Sequence, residues 1–133
     1  MRSYRICAIV DCMAQVVLYA DSRGDEPVYE YIDKLGRFRP AEAASIERYV
    51  DLLESKGARL QYPFASPIDK KERVFELRPG NHRIAYALHQ GTYVLLHAWR
   101  KQTQKLDQRE ASKARRRLAD WRRRHPEPPP RKD

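Results

Sequence analysis

The chain has 133 residues, with 27 Lys and Arg against 18 Asp and Glu and a formal net charge of +9. One domain is the expectation at that length, with enough core to fold without a metal or a disulfide framework. No apolar run reaches membrane-spanning length, nothing has the layout of a cleavable signal peptide, and Cys7 and Cys12 fall outside any ligand spacing, so a cytoplasmic protein is expected.

The charge is unevenly placed. Residues 1–98 hold 14 Lys and Arg against 13 Asp and Glu, whereas residues 99–133 hold 13 against 5. A positive field gathered on the C-terminal quarter favours a polyanionic partner, of which nucleic acid is the commonest. An arginine-rich solvated surface satisfies the same numbers.

Arg5–Val10 and Gln15–Ala20 are short apolar-leaning runs with strand character, and Met13 between them is a second candidate start for translation. Residues 1–14 are therefore taken as an extension or an extra strand. After a turn at Asp21–Asp25, Asp25 or its neighbour caps a helix that opens on Glu26 and Pro27. Val28, Ile32 and Leu35 form its stripe, and Gly36 is expected to end it. Ala43, Ile46, Val50 and Leu53 mark a second helix after Pro40, closed by Gly57. With Pro63 and Pro67, Gln61–Lys71 reads as a loop.

Three strands follow: Val74–Arg78, Arg83–His89 and Tyr93–Trp99, separated by Pro79-Gly80-Asn81 and by Gln90-Gly91. They predict an antiparallel meander that delivers the chain into the basic segment Arg100–Lys105. Asp107, with Glu110 three residues on, has the arrangement of a capping box for a last helix. Ala111, Ala114, Leu118 and Trp121 line its docking face, while Arg109, Lys113, Arg116, Arg117 and Arg123 occupy the others. The helix should fray near His125-Pro126, and residues 125–133 are expected to be a disordered Pro-rich basic tail. The fold class is α+β, and residues 15–124 are its folded domain.

The order of elements, together with Phe75-Glu76-Leu77-Arg78, Gly80 and His82-Arg83-Ile84-Ala85-Tyr86, resembles the RelE/ParE toxin superfamily. More narrowly, Val94–Lys105 followed by a helix with Ala111 and Ala114 is similar to the phage-derived HigB-like toxins. The resemblance covers roughly residues 15–120. It implies the toxin of a type II toxin-antitoxin pair that cuts messenger RNA on the ribosome and is neutralised by a helix-turn-helix, HigA-like antitoxin. It also implies a phosphate or transition-state role for Arg83 and a second catalytic cation at Lys101. Val74 and Glu76 stand where RelE proper carries lysines, and no tyrosine follows the basic segment.

RNA can be cut without a metal when its own 2′-hydroxyl attacks the adjacent phosphate. The protein must orient that attack, remove a proton, neutralise the phosphorane and protonate the leaving 5′-oxygen. No His/Cys/Asp cluster has metal-ligand spacing, so neither metal nor cofactor is expected. Arg83 and Lys101 are the leading catalytic candidates. Glu76 reads either as a base or as an ion-pair partner of Arg78 and Arg83, and His97 either as an acid or as a satisfied, partly buried histidine. Tyr86 and Trp99 are core or rim aromatics on which a base could stack if exposed. Arg78, Arg100, Lys105, Arg109, Lys113, Arg116 and Arg117 are the expected RNA-binding cations. Three function classes fit: a ribosome-dependent nuclease, a non-catalytic gyrase-binding toxin of ParE type, and a non-toxic nucleic-acid-binding regulator.

Overall fold

A computed structural model describes residues 15–126. The run Arg5–Val10, both cysteines, Met13 and the segment 127–133 lie outside the described residues. The strands are β1 (Gln15–Leu18), β2 (Ala65–Asp69), β3 (Val74–Leu77), β4 (His82–His89) and β5 (Thr92–Arg100). The helices are α1 (Pro27–Phe38), α2 (Pro40–Lys56) and α3 (Gln108–Arg124). The strands form one sheet in the order β1-β5-β4-β3-β2, with β1 parallel to β5 and every other pair antiparallel. The expected α+β arrangement of N-terminal strand, helical hairpin, meander and C-terminal helix is present, with one further strand.

That strand is β2, expected to be loop. Pro67 lacks an amide hydrogen and so belongs on an edge, where no neighbour needs one. It pairs with Phe75, and the register shifts between Pro67 and Asp69. A second correction concerns α1, which runs through Gly36 to Phe38. An interior glycine costs a helix only about 1 kcal/mol relative to alanine, so it does not stop one. Pro40 does, by excluding the helical region for the residue before it. Arg39 accordingly has φ −140° and ψ 70°, ending α1 and opening α2.

Helices cover both faces of the sheet. The α1–α2 hairpin buries Val28, Ile32, Ile46, Val50 and Leu53 against Leu77, Ile84, Tyr86 and Leu95. On the other face, Ala114 and Leu118 of α3 pack against Val74, Ala85, Val94, Leu96 and Trp99. Strand alternation assigns these faces until β5 meets β4 at an irregularity: Ala85 is opposite His97, but Tyr86 is opposite Leu95. Leu96 is the extra residue of a bulge, which resets the alternation. Leu96 and His97 therefore both point toward α3, while Ala98 returns to the hairpin face. Among the described residues no helix is long and apolar enough to cross a membrane.

Candidate functional site

Glu76 and Arg78, on and just after β3, share a face with Arg83 of β4, because alternation sends Phe75, Leu77 and Ile84 to the hairpin core. On that face α3 covers only part of the sheet. Between the uncovered sheet end, the basic segment and the first turn of α3 lies a cleft of about 430 Å³. Arg78, Arg83, Arg100, Lys101, Lys105 and Arg109 line it, with Glu76, Asp107 and Glu110 as its carboxylates. Among the described residues six cations and three acids line the cleft, a positive balance that favours an anionic ligand.

Glu76 sits between the two floor arginines. Its Oε2 is 2.9 Å from Nη1 of Arg78 and 3.8 Å from Nε of Arg83. Ser66 of β2 donates to the same oxygen at 3.2 Å, so the unexpected strand helps to hold the floor. Arg83 is 6% exposed, and its Nη1 donates to the carbonyls of Gly80 at 2.8 Å and His82 at 2.7 Å. The first acceptor depends on the turn, where Gly80 adopts φ +58°, a conformation that glycine takes without the steric cost of a side chain. Burial pushes the Arg83 pKa down, Arg78 adds to that effect, and Glu76 opposes it. The same turn also anchors Lys101, whose backbone amide donates to the Asn81 carbonyl at 2.7 Å.

The structure brings Glu76, Arg78, Arg83, Arg100, Lys101, Lys105 and Arg109 into one cleft. His97 lies outside it, behind Trp99, with the two rings stacked at 5.1 Å between centroids. Its Nε2 is 2.7 Å from Oε1 of Glu110, and its Nδ1 is 2.9 Å from Nη1 of Arg117. Arg117 also donates to the Leu96 carbonyl at 3.0 Å, so its guanidinium is held between α3 and the sheet. Lys113 and Arg116 are exposed on α3, away from the cleft lining.

Glu110 was expected to serve the helix start. Asp107 does cap α3, accepting from the Arg109 amide at 2.9 Å. The Glu110 carboxylate instead crosses to His97 and lines the cleft. A Glu at the third helical position signals a capping box; its diversion depends on the β5 bulge, for which the sequence carries no local mark. Tyr86 is 3% exposed, and Trp99, although it lines the cleft, is 8% exposed and stacked on His97, so neither offers an open plane to a base. Among the described residues no three His, Cys, Asp or Glu side chains gather as a metal-binding group.

These features define an α/β/α protein with a cationic cleft at one sheet end. The chain belongs to the family described as Phage derived protein Gp49-like (DUF891), whose model matches residues 33–119. That span contains the cleft floor, the basic segment and most of α3. No curated protein matches the chain.

Proposed function

We propose that the protein is the toxin of a type II toxin-antitoxin pair, within the RelE/ParE superfamily, and that it cuts messenger RNA on the ribosome. The observation that carries this reading is the floor of the cleft, where a carboxylate is held between two arginines and faces a lysine-bearing loop. Membership of a phage-derived family and the resemblance to HigB-like toxins support it.

In this reading the scissile phosphate lies over Arg78 and Arg83, with Lys101 toward the leaving group. Glu76 takes the proton from the 2′-hydroxyl as the 2′-oxygen bonds to phosphorus. The bond from phosphorus to the 5′-oxygen breaks, and the Lys101 ammonium supplies the proton that oxygen needs. The products are a 2′,3′-cyclic phosphate and a free 5′-hydroxyl. The buried Arg83 guanidinium, with that of Arg78 held by Glu76, stabilises the developing charge without having to reorganise. Positioned proton transfer adds about 10²- to 10⁴-fold. A helix-turn-helix antitoxin would neutralise the toxin by laying acidic side chains over the same cations.

The test is induced expression in a heterologous bacterium with transcript 5′ ends mapped across the transcriptome. Arg83→Ala alone is a poor control because Arg83 also holds its turn, so Lys101→Ala, on a partly exposed residue, runs beside it. New ends inside translated regions, lost in both variants, are the expected result. Growth arrest without new ends would replace this reading with a non-catalytic binding toxin, and folded protein without arrest would replace it with a non-toxic regulator.

A further inference from the structure

Tyr62 stands in the turn before β2 and is 72% exposed. The Arg78 guanidinium carbon lies 5.2 Å from the centroid of its ring. The same guanidinium donates to Glu76 at 2.9 Å and lines the cleft. Arg78 therefore joins the floor of the cleft to an open aromatic plane on the β2 side. Phe64, two residues on, is 38% exposed and packs on Tyr49 of α2, with 5.7 Å between ring centroids, which ties this turn to the hairpin.

A flat π system attached to a phosphate is the chemistry such a pair recognises. Aromatic rings and guanidinium planes both stack on the splayed bases of single-stranded RNA, tolerantly of sequence, and the cation also draws the backbone. Since Tyr86 and Trp99 are buried, Tyr62 is, among the described residues, the exposed aromatic in contact with a cleft cation. We propose that Tyr62 and Arg78 form a nucleobase-stacking subsite, seating the nucleotide next to the phosphate held over Arg78 and Arg83. This rests on reading the cleft as the RNA-cleaving site. It sets the path of the strand, from the basic loop across the floor toward the edge strand β2.

The experiment uses a synthetic messenger programmed onto purified ribosomes, with kcat/KM for cleavage measured for wild type, Tyr62→Ala and Tyr62→Trp. Messengers carrying one abasic nucleotide at successive positions around the cut are scanned in parallel. Tyr62→Ala should lose roughly 5- to 150-fold, the range that single base-aromatic stacks supply, and Tyr62→Trp should stay within about threefold of wild type. One abasic position should impose a similar loss on wild type and no further loss on Tyr62→Ala. Equal cleavage by Tyr62→Ala, or an abasic loss that is the same in both proteins, would overturn the subsite while leaving the nuclease reading intact. Wild type that is folded yet cuts nothing would overturn the nuclease reading and the subsite with it. Should Tyr62→Ala not fold, Tyr62→Gln takes its place in both comparisons.

Discussion

The Nε2 atom of His97 lies 2.7 Å from the Glu110 carboxylate, and the other side of the ring determines which proton it carries. Arg117 offers only hydrogens, and its Nη1 is 2.9 Å from Nδ1, so Nδ1 accepts and the hydrogen resides on Nε2. Burial pushes the imidazole pKa below its ordinary 6.5, against the pull of Glu110, and the positive charge of Arg117 adds to the depression. His97 is thus a neutral ring that orients Glu110. In the proposed reaction it is a positioning residue, and Lys101 is left to protonate the leaving oxygen.

A pH signature follows from that ring. In the unfolded chain His97 takes up a proton near its ordinary 6.5, whereas the folded site resists it until lower pH. The unfolded state then binds more protons, so this group lowers stability as pH falls below about 6.5 and has no such effect above it. His97→Gln can keep an acceptor toward Arg117 and a donor toward Glu110 without titrating. Urea melts between about pH 5 and 8 should show a shallower acid-side decline in the variant than in wild type. Identical slopes would mean that the ring is not held neutral.

Glu76→Gln keeps the size of the side chain and an oxygen for Arg78 but removes its ability to take a proton. Under the proposed mechanism, cleavage on programmed ribosomes should drop by about 10²- to 10⁴-fold while messenger binding persists. The variant should melt below wild type, by up to about 3 kcal/mol, because Glu76 is 8% exposed and neutralising it leaves the buried Arg83 without its counter-charge. A variant that cuts at the wild-type rate would reduce Glu76 to a spacer between arginines.

Most of the scaffold was legible in the sequence because its signals are local. Val28, Ile32 and Leu35, or Ala111, Ala114 and Leu118, announce their helices by spacing, and Gly80 and Gly91 mark the turns of the meander. What escaped was set by tertiary partners. Pro67 reads as a breaker unless its strand is known to be at an edge. The bulge at Leu96 follows from a mismatch between two strands, so neither the facing of His97 nor the diversion of Glu110 could be derived from either segment alone. Charge counting found the cleft cations but not which arginines turn inward: Arg117 and Arg116 are adjacent in sequence, one held against the sheet and the other exposed.

Asp120 gives α3 its own acid sensitivity. Its carboxylate accepts from Tyr19, just past β1, at 2.7 Å and from Arg124 at 2.7 Å. Those bonds, from Arg124 first and Tyr19 second, lower its pKa from an ordinary 3.8 to about 2. The stability it contributes is complete above pH 3.8 and is lost as pH falls from there through about 2. Asp120→Asn should cost about 1 kcal/mol at neutral pH, after allowing for partial exposure, and should flatten the acid limb of the unfolding curve in that window. An unchanged acid limb would show that the Tyr19–Asp120 contact does not hold α3 to β1 in solution.

The last expectation concerns the opposite face of the sheet, where His82 is 2% exposed and fully bonded. Its Nδ1 meets the Tyr31 hydroxyl at 2.7 Å and its Nε2 meets Oε1 of Glu42 at 2.7 Å, linking both hairpin helices to the first residue of β4. The His82 carbonyl is at the same time an acceptor for Arg83 at 2.7 Å, so the clamp on one face sets the cation on the other. His82→Ala would leave a cavity and two polar groups without their partner, at about 2 to 4 kcal/mol, lowering the melting temperature by roughly 10 °C or more. Glu42→Gln is the milder probe: it keeps a carbonyl oxygen for His82 but loses the charge that faces Arg100 at 3.3 Å. It should cost much less than His82→Ala, in keeping with a half-exposed ion pair. If Glu42→Gln were as damaging as His82→Ala, charge rather than the fit of the ring would be what holds β4 in place.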